Sequence, residues 1–523
     1  MRFIFLFFIF LFSAKLLCAQ EVNKYWIFFS DKKSSTFDPF SYFDSKAIER
    51  RVVNNIPLYD STDFPISEKY FQIISANSDS ILVVSRWFNA VAVLANSNQI
   101  DSIENFSFVK QITKIRDKGF VSSYGISDNE KKEPVSDLQI KQLAVMGSKE
   151  FEKSNLTGKN VRIAIFDAGF PGVDKMEAFE HIRDNNRIIK TYDFVKKKEN
   201  VYKYNSHGTM VLSCIAGVLK EKKTGLAIDA EFLLARTEQA TEPFSEEENW
   251  LAAVEWADKN GAQIINSSLG YTEDRYFNED MNGQTSLVSR AATIAARKGI
   301  LVVNAMGNDG SDSWKILGAP ADADSILSVG GIDPATGLHI NFSSYGPTKD
   351  KRLKPNVSAF GDVIVVDNQG QRNAQGTSFA SPLVAGFAAC AFQSNPSMKA
   401  MDLLKEIEKS GHLYPYFDYA HGYGIPQASY FTDKTEKAQA PTFQFVNTGN
   451  TVSVICKETI ETAFNMYNYL YYHIQDKNGF IEKYAVIEVY QAEALAIPFS
   501  VLENNKTLRV HFKGYTGKFT LNK

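Results

Sequence analysis

The sequence predicts an α/β protein: a mostly parallel sheet flanked by helices, with a small α+β unit before it and a small β module after it. Three observations predict this. From about 137 to 432, short unbroken apolar runs alternate with stretches of helical character. Strands buried on both faces read this way, and the intervening helices supply the crossovers. Residues 20–120 show strands and helices mixed on a smaller scale, and residues 436–523 are rich in strands. At 523 residues the chain exceeds one ordinary domain.

The first residues, MRFIFLFFIFLFSAKLLCAQ, begin with Arg2, continue in an apolar run and reach the small Ala19. This is the pattern of a secretory signal peptide over 1–19, so the mature protein is expected outside the cytoplasm or at the cell surface. The run is short for a bilayer span and Lys15 interrupts it. Leu17 stands before Cys18 where a lipoprotein signal has a small residue. No later segment is apolar for long enough to cross a membrane, so no stable membrane span is expected.

Within 20–120, Tyr25–Phe29, Ser80–Ser85 and Ala90–Ala95 read as strands, and Tyr42–Val53 and Asn98–Glu104 as helices. Residues 121–136 read as a linker or processing region, because Gly125–Ser136 is polar, charged and contains Pro134. A plain surface loop would have the same composition. In the central region the strands are Val161–Phe166, Glu231–Ala235, Gln263–Asn266, Ile300–Asn304 and Ile326–Val329. Asn249–Lys259 and Leu287–Lys298 are helices between them. In the last region Asn450–Cys456, Tyr469–Ile474, Glu482–Tyr490 and Thr507–Phe512 read as strands.

Hydrophobic residues make up 44% of the chain, enough for several cores, and the formal net charge of -3 gives no attraction to nucleic acid or an anionic membrane. Once Cys18 is removed with the signal, Cys214, Cys390 and Cys456 remain. An odd count argues against a disulfide framework. Cys214 and Cys390 lie in apolar helical stretches, as buried free thiols do, and a bridge between them is the alternative. No Cys/His cluster has zinc-ligand spacing, and no cofactor is expected.

Three segments carry residues suited to nucleophilic catalysis, which needs a hydroxyl, a base to take its proton and a group to orient the base. Among seven histidines, only His207 stands in a small-residue setting at a helix start, YNSHGTMVLSCIAG, where Asn205 or Ser206 can cap the helix and Gly208 leaves the ring accessible. Asp167 ends the apolar strand in VRIAIFDAGF, at the edge where parallel sheets bind ligands. Ser378 opens a helix in GTSFASPLVAG, where the positive helix end and its own N–H face a developing negative charge. Pro382 is expected in or near the first turn, where a missing N–H costs little. Asn308, in VVNAMGNDG, is delivered by a strand into a glycine-flanked turn, as a second donor to that charge. Taken singly, each has a plainer account: a structural histidine, a turn-capping aspartate, a capped core helix.

Together, the segments IFDAGF, NSHGTMVLSCIAG, AMGNDG and GTSFASPLVAG resemble those of the subtilases, the peptidase S8 family, in that family's order. The resemblance covers about 137–432 and implies a subtilisin-like sheet with Asp167, His207 and Ser378 converging at one edge. It implies a serine endopeptidase acting on polypeptides through an acyl-enzyme, with Asn308 in the oxyanion hole. In SSLG, Ser268, Leu269 and Gly270 would pair with an extended substrate backbone. Gly318 and Asp309 would border the primary side-chain pocket, and His421–Ala428 resembles the closing segment. Residues 20–120 more loosely resemble the N-terminal propeptide, a chaperone and inhibitor of its own enzyme; a permanent accessory domain is the alternative.

Two departures stand out. Met306 replaces a smaller residue in the oxyanion segment. Calcium is common in the family, but no acidic loop here has ligand spacing, so no metal residue is assigned. The C-terminal module has no distinctive sorting motif. An esterase would place its serine in G-x-S-x-G and run Ser, Asp, His; this chain runs Asp, His, Ser. A non-catalytic binding protein would have no use for all four site residues.

Overall fold

The computed structural model describes residues 21–115, 135–239, 245–273, 275–433, 439–457 and 468–521. The expected signal peptide and nearly all of the expected linker lie outside them. Contacts divide the chain into a small unit, Met1–Thr36 with Phe64–Asp117, and a larger one, Phe37–Asp63 with Lys118–Lys523.

The small unit begins with β1 (Asn23–Phe29). The chain then leaves it for residues 37–63, where α1 (Ser45–Val53) forms. It returns as α2 (Glu68–Ala76), β2 (Ser80–Ser85), β3 (Ala90–Ala95), α3 (Ser97–Glu104) and β4 (Val109–Ile115). The sheet is antiparallel in the order β2-β3-β1-β4. Ile27 and Phe29 of β1 meet Val91 and Val93 of β3 and Ile74 of α2 in its core. A capping box between Asn96 and Gln99 starts α3. The sequence reading took 20–120 as one unit; contacts assign 37–63 to the larger one.

The larger unit is built on seven parallel strands: β5 (Arg162–Asp167), β6 (Ile188–Asp193), β7 (Glu231–Arg236), β8 (Ile264–Ser267), β9 (Leu301–Ala305), β10 (Leu327–Ile332) and β11 (Val357–Phe360). Their order is β11-β10-β9-β8-β5-β7-β6. After β5 the chain crosses to one side for β6 and β7, then to the other for β8 onward. The strand order therefore reverses between β7 and β8, flanking β5, and the crevice beyond the C-terminal strand ends at such a point is where these sheets hold ligands.

Helices cover both faces. Ile163 and Ile165 of β5 pack with Val211 and Ile215 of α4 (His207–Ala216) and with Val384 and Phe387 of α7 (Thr377–Ser394). Phe166, pointing the other way, meets Trp250 of α5 (Ser245–Lys259) edge-on at 5.6 Å between ring centroids. Helix α6 (Leu287–Arg297) lies beside α5, and α8 (Ala400–Ser410) follows α7. Small residues let α7 come close to α4: a Cβ at Gly386 would lie 3.1 Å from the Ile215 carbonyl oxygen. A hairpin of β12 (Asp362–Asp367) and β13 (Gly370–Gln375) leads into α7.

The last region folds as two antiparallel sheets. One is β14 (Phe443–Thr448), β15 (Thr451–Cys456) and β18 (Glu493–Pro498). The other runs in the order β17-β16-β19-β20, from β16 (Tyr469–Gln475), β17 (Ile481–Glu488), β19 (Thr507–Phe512) and β20 (Tyr515–Thr520). In β16, Leu470, Tyr472 and Ile474 enter the module's own core, while Tyr469 and Tyr471 pack on Leu413 and Tyr416. Burial on both faces goes with the aromatic and apolar run Tyr469–Tyr472, and His473 is buried beside it. Cys214, Cys390 and Cys456 are free and buried, and burial pushes their thiols up, so they pack as small hydrophobes. Among the described residues no helix is long and apolar enough to cross a membrane.

Phe387 is fully buried in α7, with its ring centroid 5.0 Å from Phe151 and 5.8 Å from Phe431. Phe387→Ala is expected to cost about 3–5 kcal/mol through lost burial and the cavity left behind. Urea unfolding would read this as a lower midpoint at unchanged slope.

Candidate active site

Asp167 is the last residue of β5 and has no exposed surface. A buried carboxylate requires hydrogen-bond partners. One is the next backbone N–H, from Ala168, at 2.8 Å. The other is His207, the first residue of α4, whose Nδ1 lies 3.0 and 3.1 Å from the two carboxylate oxygens. That places the proton on Nδ1 and leaves Nε2 as the basic nitrogen. Asn205 accepts from the His207 backbone N–H at 2.9 Å, capping the start of the helix.

Gly208 brings α4 this close. A Cβ there would lie 2.4 Å from the Gly169 carbonyl oxygen and 2.9 Å from the Asp167 Cβ. Its role is contact between helix and strand, beyond the open access to the imidazole that the sequence suggested.

Ser378 is the second residue of α7 and mostly buried. Its Oγ donates to the Ser268 carbonyl oxygen at 3.3 Å, and its own carbonyl accepts from the Ser268 Oγ at 2.9 Å. The His207 ring lies 5.3 Å from that of the adjacent Phe379. Pro382 stands early in the second turn of α7, near the first turn as expected. It lacks the N–H that would bond the Ser378 carbonyl four residues earlier. The Ser268 hydroxyl takes that place and ties the start of α7 to the end of β8.

Asn308 Oδ1 accepts from the Thr377 N–H at 2.8 Å and from the Thr377 Oγ1 at 2.9 Å. Two donors on the oxygen identify the other amide atom as Nδ2. That nitrogen lies on the Gly376 side of the turn: a Cβ at Gly376 would be 3.6 Å from Asn308 Nδ2 and 3.7 Å from the Ser378 nitrogen. The two N–H donors thus flank one small volume beside Ser378. Thr377 Oγ1 also bonds the Gly307 carbonyl at 3.1 Å, so it pins the whole turn. The sequence reading did not single out Thr377; its one signal is a hydroxyl between Gly376 and Ser378.

The other candidates surround this centre. Leu269 is buried and its carbonyl accepts from Asn304 Nδ2 at 3.0 Å. Gly270 is exposed, with open space where a side chain would be. The next residue, Tyr271, pairs with Ala319 in both directions, at 2.8 and 2.9 Å, so this edge already runs as extended backbone. Gly318 faces Thr272, whose Cγ2 would be 2.9 Å from an added Cβ. Asp309 follows Asn308 and bonds Ser344. Burial, then the charges of Asp312 and Glu273, push its carboxyl up to about 6 against the Ser344 hydrogen bond. Met306 is fully buried, packed with Leu317 and Ala321. Among the described residues no group of three or more His, Cys, Asp or Glu is placed to hold a metal ion.

The profile described as Subtilase family matches residues 158–424, and that described as Peptidase S8 propeptide domain, Bacteroidota, matches residues 24–133. Subtilisin DY of Bacillus licheniformis is 29% identical over 256 residues, which are 48% of this chain and 84% of that protein. Subtilisin NAT of Bacillus subtilis subsp. natto is 27% identical over 356 residues, 66% of this chain and 81% of its own. A solved structure of proteases from Pseudoalteromonas arctica PAMC 21717 aligns with 57% of this chain and 96% of its own, at 20% identity and a TM-score of 0.46.

Thr377→Val keeps the backbone N–H but removes the hydroxyl that orients Asn308. Loss of one such bond, about 1–1.5 kcal/mol, corresponds to roughly ten-fold in rate. Labelling of Ser378 by a fluorophosphonate is expected to slow by about that factor, with thermal stability lowered only slightly.

Proposed function

The chain belongs to the subtilase family of serine endopeptidases, and from that premise we propose that Asp167, His207 and Ser378 form its catalytic triad and that it acts on polypeptides after export. The observation that carries the triad is the His207 Nδ1 contact with both Asp167 oxygens, at 3.0 and 3.1 Å. Asp167 holds the imidazole in the tautomer whose Nε2 is free and stabilises the imidazolium formed later.

In the proposed reaction Ser378 Oγ leaves its long bond to Ser268 and gives its proton to His207 Nε2 as it attacks the peptide carbonyl. The carbonyl oxygen becomes negative between Asn308 Nδ2 and the Ser378 N–H, at the positive end of α7. A side-chain donor in this position contributes about 10²–10³ in turnover in a subtilisin. His207 then protonates the leaving amine, and water, activated by the same nitrogen, releases the acyl group. Gly270, open along an extended edge, is suited to pair with the substrate backbone, with Ser268 and Leu269 beside it. Gly318 and Asp309 would border the pocket for the side chain preceding the cut.

The propeptide domain at the N-terminal end supports synthesis as a zymogen that trims itself. Export is supported by the signal-like run at 1–19. Ser378→Ala is expected to abolish fluorophosphonate labelling and to leave a larger precursor with only the signal removed. A purified Ser378→Ala chain that still labels, or trims itself normally, would remove the basis of the proposal.

Asp309 supplies a pH test of the pocket. Its carboxyl, raised to about 6, is neutral below that pH and anionic above it. The preference for Lys or Arg over Leu before the cut should therefore grow as pH rises from about 5 to 8. In Asp309→Asn the ratio of kcat/KM values should stay flat.

A further inference from the structure

Three charged residues stand side by side at the C-terminal edge of the parallel sheet. Asp167 ends β5, Arg236 ends β7 and Asp193 ends β6, and the strand register pairs Arg236 with each aspartate. Adjacent strands lie about 4.8 Å apart. Asp167 and Asp193 have no exposed surface, and Arg236 is 5% exposed. The reaction proposed above uses only Asp167. Burying the other two ions costs free energy that an apolar pair would not, so their presence calls for a reason.

Each part of the Arg236 guanidinium has its own partner. Nε donates to the Ala168 carbonyl at 3.1 Å. Nη1 meets both Asp193 oxygens at 3.2 Å. The flat face lies 3.7 Å from the centre of the Tyr204 ring. A guanidinium donates from its edge and stacks on its face at once, which an ammonium cannot do. Asp193 also accepts from the N–H groups of Val195 at 3.0 Å and Lys196 at 2.9 Å, so it is fixed from two sides.

Two of these partners belong to the segments that present the Asp167–His207 pair. Ala168 follows Asp167, and its N–H supports that carboxylate. Tyr204 precedes His207 by three residues. The segments meet backbone to backbone: Gly169 bridges to Tyr204, and a Cβ at Gly169 would collide with the Lys203 carbonyl oxygen. Tyr204 has a φ of 77°, a left-handed conformation that a bulky residue keeps only where its surroundings fix it. Its ring is exposed on one side, and Arg236 is the cation packed against it, with Lys198 farther off at 5.5 Å.

Charge matters as much as shape. Arg236 emerges one strand away from the carboxylate that must receive His207. A guanidinium free to turn would compete with the imidazole for Asp167. The contact with both Asp193 oxygens engages that cation elsewhere.

On the triad reading, we propose that Arg236 is a positioning residue for the Asp167–His207 pair. Its edge fixes the Ala168 turn, its face fixes Tyr204 ahead of His207, and Asp193 keeps its charge turned from Asp167. It acts through these two segments and not on the substrate.

The test observes the pair directly in protein expressed as the full chain. A proton held between His207 Nδ1 and Asp167 gives a nuclear magnetic resonance signal far downfield of the backbone amides, and its absence in His207→Gln assigns it. Fluorophosphonate labelling of Ser378 is the second readout. Arg236→Met is combined with Asp193→Asn, so that no buried charge is left unpaired. In this variant the downfield signal is expected to broaden or vanish and labelling to slow about 10–100-fold, as for a small misplacement of reacting groups. Arg236→Lys, which keeps the charge but not the fork, is expected to restore neither. A double variant that melts cooperatively, keeps the downfield signal and labels at the parent's rate overturns the proposal, as does full recovery in Arg236→Lys. If the double variant does not fold, Tyr204→Leu decides, because that ring is exposed. Labelling should slow about threefold, the scale of one cation–π contact, and an unchanged rate and signal overturn the proposal. A parent chain that shows the downfield signal but never labels counts against the peptidase reading, and Arg236 is then judged by the signal alone.

Discussion

The buried carboxylate of Asp167 needs a donor where water cannot reach, and the surrounding architecture is arranged to bring it one. His207 can serve only if the first turn of α4 lies against the end of β5, and that approach requires no side chain at Gly208. Once α4 is seated, α7 must pack across it, and the small residues of α7 allow this. Ser378 then arrives at the same strand edge from the other end of the domain. The reversal of strand order beside β5 makes that edge a crevice. One pair of hydrogen bonds thus dictates which residues must be glycine, which helix must be small, and where the site opens.

A second layer holds Ser378, the proposed nucleophile. Pro382 leaves the Ser378 carbonyl without its helical partner, and Ser268 fills the vacancy from the end of β8. Thr377 performs the matching task for Asn308: its hydroxyl donates to Asn308 Oδ1 and accepts from the Gly307 N–H within one turn. Both devices fix polar atoms in advance, so charge developing in the proposed reaction would meet donors that need not reorganise. Buried polar groups also have to be satisfied in the resting protein, so the same bonds serve stability.

Much of this was legible in the sequence. Unbroken apolar runs marked most strands of the central sheet, and Asp167, His207, Asn308 and Ser378 stood out because each combined a reactive group with a turn or helix start. Other features left weak traces. The edge strands Ile188–Asp193 and Val357–Phe360 are short or mixed in character; the first is mostly half-buried, and the second is buried by neighbours distant in sequence. The extra strands of the C-terminal module, such as Glu493–Pro498, alternate poorly because one face is only partly covered. Thr377 looked like an ordinary helix-start residue until Asn308 lay beside it.

The sequence by itself determined the kinds of chemistry available, the order in which the reactive residues are delivered, and the layered α/β class, because these follow from residue type and apolar periodicity. It also marked the family through four local segments. Only the tertiary structure decided which carbonyl Ser268 supports, how Asn308 is turned, that the cysteines are unpaired, and that 37–63 belongs with the larger unit. Each depends on groups far apart in the chain meeting at hydrogen-bond distance. Charge at Arg236 and Asp193 is plain in the sequence, but burial and pairing are properties of the assembled fold.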